Sequence, residues 1–218
     1  MLAWIDIDTV LLDMDGTLLD LHFDDHFWRE HLPSRYAERH GMPIEHAKSR
    51  LQDHYNSISG TLEWYCLDYW CRTLDMDVVK LKEEVRHLIA FRPEAVEFLA
   101  ALRACGKRAV LVTNAHTDSL ALKIRETSLD DHLHHVCCAH DLRLAKEDPA
   151  FWGRLQEHEP FVPERTLLID DNLDVLESAR QAGIRHLMTI AQPDSRRPAR
   201  MTDRFPVIHG FAEITPRS

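Results

Sequence analysis

The sequence predicts an α/β protein: a three-layer core, with a parallel sheet between helices, and a helical segment inserted after the first strand. Three observations carry this. Short apolar runs at 9–12, 109–112, 136–139, 166–169 and 186–190 alternate with amphipathic stretches of helical period. Three of those runs end in polar residues: Asp13 and Asp15, Thr113 and Asn114, Asp170 and Asp171. Between the first run and Pro93 there is no strand signal, only aromatic and charged residues at helical spacing.

Residues 9–12 (Thr-Val-Leu-Leu) are short, apolar and partly β-branched, which suits a strand buried on both faces. Side chains alternate along a strand, so Asp13 and Asp15 leave it on one side. Carboxylates in such a place need a metal, a basic partner or a helix terminus to offset desolvation. Gly16 permits a bend that a Cβ resists, and Thr17 offers a hydroxyl. About four helices follow. Phe23, Phe27, Leu32 and Tyr36 line a stretch interrupted at Pro33; 44–58 is a polar helix; Leu62, Tyr65, Tyr69 and Trp70 mark the next; 78–89 is the last.

Pro93 opens and Gly106 closes a helix striped by Val96, Leu99 and Leu102. The second strand, 109–112, leads to a helix over 120–126, and the strand at 136–139 to a helix over 148–157 with Phe151, Trp152 and Leu155 inward. After the strand at 166–169, a helix over 175–182 stops at Gly183 and 186–190 is the last core strand. The prolines at 193, 198, 206 and 216, with Arg196, Arg197 and Arg200, mark an irregular tail whose 207–214 stretch docks on the core.

Composition narrows the functions. At 218 residues and 44% apolar, the chain can bury a large core with a smaller inserted domain. A net charge of -10 disfavours nucleic acid and anionic membrane as partners, but not a small anion screened by a cation. No apolar run spans a bilayer, and the first residues carry Asp6 and Asp8 with no basic cluster, unlike a signal peptide. Five cysteines without a Cys-x-x-Cys spacing suggest reduced thiols, a cytoplasmic location and no zinc site. Seven scattered glycines form neither a dinucleotide fingerprint nor a P-loop.

The string Asp13-Met14-Asp15-Gly16-Thr17-Leu18 after an apolar strand resembles the first motif of the haloacid dehalogenase-like (HAD) phosphohydrolases. Thr113-Asn114, Lys146 and Asp170-Asp171 follow in the order of that family's other motifs, and the resemblance covers residues 9–190. It implies a HAD-like Rossmannoid core domain made of 1–17 and 93–218, with a helical cap domain at 18–92. It also implies phosphomonoester hydrolysis, with Asp13 as nucleophile forming an aspartyl phosphate and Asp15 as general acid–base. Asp15, Thr113, Asn114 and Lys146 would bind the substrate. Mg2+, with Mn2+ or Co2+ as substitutes, would be held by Asp13, by Asp15 through its backbone carbonyl, and by Asp171. Asp171 stands before Gly183 as the metal-binding acid does in related phosphatases; the adjacent Asp170 is the alternative, and otherwise it supports the site with Asp174. One departure is Glu147-Asp148 between Lys146 and Pro149, where many relatives have proline directly after the lysine.

The stretch 61–70 and Lys146-Glu147-Asp148 also resemble the branch that hydrolyses the purine 5'-nucleotides GMP and IMP. A purine nucleoside monophosphate is therefore the expected substrate, with Trp64 and Tyr65 as the first candidates to touch the base. The alternatives are a phosphatase of phosphoglycolate or a sugar phosphate, a sugar phosphomutase, and a catalytically idle binding protein on the same fold. Among the histidines, His132, His134, His135 and His140 lie close in sequence without a supporting acid or cysteine spacing, and His116 falls near the mouth of the site.

Overall fold

The computed structural model describes residues 2–217. Strand β1 (Thr9–Leu12) is buried along its whole length. Six helices follow: α1 (His22–His26), α2 (Leu32–His40), α3 (Ile44–Ile58), α4 (Leu62–Tyr65), α5 (Leu67–Leu74) and α6 (Val78–Glu84). The chain continues through α7 (Ala95–Ala104), β2 (Arg108–Thr113), α8 (Thr117–Thr127), β3 (His135–Cys138) and α9 (Ala139–Leu142). It ends with α10 (Pro149–His158), β4 (Thr166–Ile169), α11 (Leu173–Gln181), β5 (His186–Ile190) and β6 (Val207–Ile208).

The sheet order is β3-β2-β1-β4-β5-β6, and every pairing is parallel. β1 is central, with Leu12 in register with Leu111 of β2 and Ile169 of β4. The strand order reverses beside β1, so a crevice opens beyond its carboxyl end. Strand alternation divides the core into two layers. Val10 and Leu12 pack with Leu111, Ile169, Phe98 and Leu99 on one face; Leu11 packs with Val110, Leu168, Phe151, Trp152 and Leu176 on the other. Residues of the helical insert build a third cluster around Phe23, Phe27, Leu51, Tyr55, Leu67 and Trp70.

The structure corrects the expected elements in four places. Pro33 does not interrupt its stretch: a π-helical segment, Phe27–His31, joins α1 to α2, and Pro33 falls in the first turn of α2. The wider π turn accommodates a residue that can neither donate a helical hydrogen bond nor tolerate the tighter turn. The single helix expected around Leu62–Trp70 is broken at Cys66, whose backbone is extended (φ -82°, ψ 109°). The helix expected over 78–89 ends at Glu84 and continues as a 3-10 turn, Arg86–Leu88. The tail adds a strand, β6, whose two residues pair with Thr189 and Ile190. No helix among the described residues is long and apolar enough to cross a membrane.

Candidate active site

The carboxyl ends of β1, β2 and β4 bring together the residues that the motifs single out. The Asp13 N–H donates to the Ile169 carbonyl at 3.0 Å, extending the strand ladder and fixing where the Asp13 carboxylate stands. Lys146, 1% exposed, donates from Nζ to Asp13 Oδ1 (2.5 Å), Asp170 Oδ2 (2.7 Å) and the Val112 carbonyl (3.0 Å). A buried ammonium is tolerable only when so paired. Burial disfavours its charge, but Asp13 and Asp170 outweigh that and hold it protonated. Burial pushes the Asp13 carboxyl up to about 6, with Lys146 opposing and Asp170 adding to the rise.

Asp15, on the same side of the chain, meets a lysine that no motif pointed to. Lys123 of α8 is buried and donates to Asp15 Oδ1 and to Asp24 Oδ2, both at 2.6 Å. Asp24 of α1 also accepts from Lys82 of α6 at 2.6 Å, and Lys82 lies 4.7 Å from the centre of the Phe27 ring. The chain Asp15–Lys123–Asp24–Lys82 therefore runs from the core into the helical insert. Burial pushes the Asp15 carboxyl up to about 6, and Lys123 is the main force holding it down. For Asp24 burial acts in the same sense, but two lysines outweigh it and the carboxyl stays well below its ordinary value.

Asp171 stands apart from these pairs. Carboxylate oxygens of Asp13, Asp170 and Asp171 lie within 4.8 Å of one another. Both oxygens of Asp170 are engaged, one by Lys146 and the other by the Asn172 N–H at 2.9 Å. Among the described residues Asp171 receives only Arg200 from the tail, at 3.2 Å to Oδ2 and also at its backbone carbonyl. Its carboxyl is raised well above the ordinary range by burial and then by the charges of Asp13 and Asp170. An all-oxygen donor set of like charge with one loosely held member suits a hard cation such as Mg2+. Gly16 makes this proximity possible. Its φ is +86°, and a Cβ there would fall 2.8 Å from the Asp171 carboxyl carbon.

Glu147, the departure from the expected third motif, has its own set of partners. It accepts from the Tyr65 hydroxyl (2.6 Å), Asn114 Nδ2 (2.9 Å) and Asn172 Nδ2 (3.1 Å). Asn114 in turn accepts from the Lys146 N–H at 2.9 Å. Asp148 caps α10 by accepting from the Ala150 N–H at 2.9 Å. The two acids thus stabilise the lysine loop and the following helix, and Tyr65 ties the insert to that loop. Thr113, 1% exposed, accepts the Ala115 N–H at 3.0 Å.

A cavity of about 620 Å3 opens over these groups. Its core wall includes Asp13, Asp15, Thr113, Asn114, Lys146 and Asp171; its insert wall includes Trp28, Gln52, Tyr55, Asn56, Trp64 and Tyr65. Trp64 is half-buried and also packs on Trp28, Tyr55 and Trp70, with ring centres 5.7, 5.1 and 5.9 Å away. Asp174 lines the cavity, but its side chain is 78% exposed and faces Arg204. The four histidines near in sequence do not cluster. His134 accepts the Ala109 N–H, His132 packs on Phe91, and His140 packs on His116, which lines the cavity. Lys123 and Asp24 went unmarked in the sequence, and Glu147 and Arg200 were marked only as a motif departure and as a tail residue, because each finds its partner far along the chain. The one local hint was that Glu147 displaces the proline expected after Lys146.

The chain resembles known proteins over most of its length. A family model described as haloacid dehalogenase-like hydrolase matches residues 7–183. The chain is 39% identical over 215 residues to the GMP/IMP nucleotidase YrfG of Escherichia coli (strain K12), covering 99% of this chain and 97% of that protein. It is 24% identical over 197 residues to a phosphorylated carbohydrates phosphatase of Thermotoga maritima, covering 83% and 84%. Among solved structures, a HAD phosphatase from Thermococcus onnurineus superposes with a TM-score of 0.78 at 21% identity, over 95% of this chain and 96% of that one.

Proposed function

The chain belongs to the haloacid dehalogenase-like hydrolases, and from that premise we propose that it is a Mg2+-dependent purine 5'-nucleotidase working through an aspartyl phosphate on Asp13. The observation that carries this reading is the pairing of a buried carboxylate and ammonium, Asp13 and Lys146, beneath a cavity with an aromatic far wall. The kinship with a GMP/IMP nucleotidase over nearly the full length supports the substrate class.

In this reading a carboxylate oxygen of Asp13 attacks phosphorus; the new O–P bond forms as the ester O–P bond breaks. Asp15 gives its proton to the departing alkoxide. Water then attacks the phosphorus, Asp15 takes its proton, and the bond to Asp13 breaks to release phosphate. A carboxyl near 6 can hold or yield a proton close to neutral pH, which is what both halves require. Lys146, Thr113 and Asn114 surround the phosphoryl oxygens and offset the charge that builds on them. Asp13, the Asp15 backbone carbonyl and Asp171 would hold Mg2+, which supplies positive charge to the phosphoryl group and screens it from the acids.

Residues 18–92 act as a cap that supplies the wall for the leaving group, with Trp64 and Tyr65 toward the base. Base–aromatic stacking is worth about 1–3 kcal/mol per base. The test is a panel of phosphate esters with Mg2+. GMP and IMP should exceed glucose 6-phosphate and phosphoglycolate in kcat/KM. A preference for sugar phosphates would replace the nucleotidase reading with the carbohydrate phosphatase one.

A further inference from the structure

A second group of ligand-type side chains, separate from the acidic trio, has one member, His116, on the cavity wall. Cys66, His116 and His140 each place one donor atom within 4.8 Å of the others. They come from three separate places: the break between α4 and α5, the N-cap of α8, and α9. The two imidazoles meet edge to face, with centres 5.0 Å apart and planes at 79°. His140 Nε2 is sealed from solvent and has no hydrogen-bond partner among the described residues. An imidazole nitrogen buried without a partner forfeits its hydration, so its burial beside a thiol and a second imidazole calls for a reason. Asp68, two residues after Cys66, brings a carboxylate oxygen to 3.8 Å from His116 Nε2.

We propose that Cys66, His116 and His140, with Asp68 as the fourth donor, form a site for a divalent transition metal of the Zn2+ class, joining the helical insert to the core. Thiolate and imidazole are the donors that Zn2+ and Co2+ prefer and that Mg2+ avoids, so this site and the acidic trio sort the metals between them. For Cys66, His116 and His140, tetrahedral bonds of 2.0–2.3 Å put donors roughly 3.3–3.7 Å apart, so side-chain rotation has to close only about 1 Å, while Asp68, exposed beside His116, must swing in to join them. A bound ion would pin the α4–α5 break to the N-terminus of α8. No zinc pattern shows in the sequence because Cys66, His116 and His140 are 24 to 74 residues apart and follow no local spacing.

The test is optical. The chelator-treated protein, held in saturating Mg2+ to occupy the acidic site, is titrated with Co2+. A thiolate-to-cobalt charge-transfer band in the near ultraviolet, with intense visible bands of tetrahedral Co2+, is expected, and Zn2+ should abolish both. Cys66→Ser should lose the charge-transfer band while keeping Mg2+-dependent turnover. His140→Ala should weaken the metal at least about tenfold, since even outer partners of metal ligands cost that much. A readout that does not rely on spectra is alkylation: Zn2+ should protect Cys66 from iodoacetamide in wild type but not in His140→Ala. No charge-transfer band in the wild-type protein, or a band that survives in Cys66→Ser, would overturn the assignment. Both experiments read metal binding directly, so they stand whichever phosphate ester the enzyme prefers.

Discussion

Lys123→Met isolates the pairing that holds Asp15. In the wild type Lys123 lies 2.6 Å from both Asp15 and Asp24. Asp24 keeps Lys82 after the substitution, so the loss falls on Asp15. The side chain of Asp15 is 22% exposed, enough to take up a proton in place of the lost partner. Its carboxyl, pushed up to about 6 by burial and held down by Lys123, must then rise further. The sign follows from linkage. Between the unfolded value near 3.8 and about 6, the folded state of both proteins holds the extra proton, and both lose stability together as pH rises. Above about 6 the wild-type carboxyl is ionised beside Lys123 and its stability levels off. The variant, whose carboxyl rises above that, goes on losing up to about 1.4 kcal/mol for each further pH unit until that carboxyl ionises. By pH 8 the gap is at most about 3 kcal/mol, since solvent reaches the group, and a chain of this size loses at most roughly 6–12 °C in Tm for it. Thermal unfolding in chelator at pH 5.5 and pH 8 measures this directly. A Tm loss equal at the two pH values would refute the reasoning, leaving Lys123 a packing residue. Adding Asp15→Asn to both proteins should remove the pH-dependent gap.

Three further outcomes test the catalytic reading. Asp13→Asn should lower kcat at least about a thousandfold in phosphate-release assays while circular dichroism shows the fold intact; more than trace turnover would exclude Asp13 as nucleophile. Chelation should stop turnover, Mg2+ should restore it, Mn2+ or Co2+ should do so in part, and Ca2+ poorly, since its looser coordination does not hold a nucleophile in line; full activity in excess chelator would remove the role of Asp171. Trp64→Ala should lower kcat/KM for GMP more than for p-nitrophenyl phosphate, whose leaving group needs little of the insert wall; an equal loss would mean that its packing on Trp28, Tyr55 and Trp70 is its whole role.

Much of the core was legible in the sequence because its rules are local. Residues 9–12 and 166–169 are apolar on both faces and end in acids, and both form central, fully buried strands. Alternation along β1 places Asp13 and Asp15 on one side whatever else the chain does. Parallel pairing then brings Thr113, Asn114, Asp170 and Asp171 to the same end of the sheet.

Tertiary structure decided the rest. Lys123 sits in α8 like any polar helix residue, and only the fold carries it across 108 residues to Asp15. Glu147 reads only as a departure from the motif after Lys146 until Tyr65, 82 residues away, donates to it. Pro33 signals a break by local rules, yet a π turn, in a helix whose Phe27 and Leu32 are buried in the insert, carries the chain through it. β6 is too short to announce itself and exists because β5 offers a free edge. Cys66, His116 and His140 share no spacing and meet only where the insert rests on the core. Strand burial and side-chain alternation are set by neighbours in sequence. Ion pairs, hydrogen bonds and ligand clusters depend on distances of a few ångströms between segments whose approach no local pattern encodes.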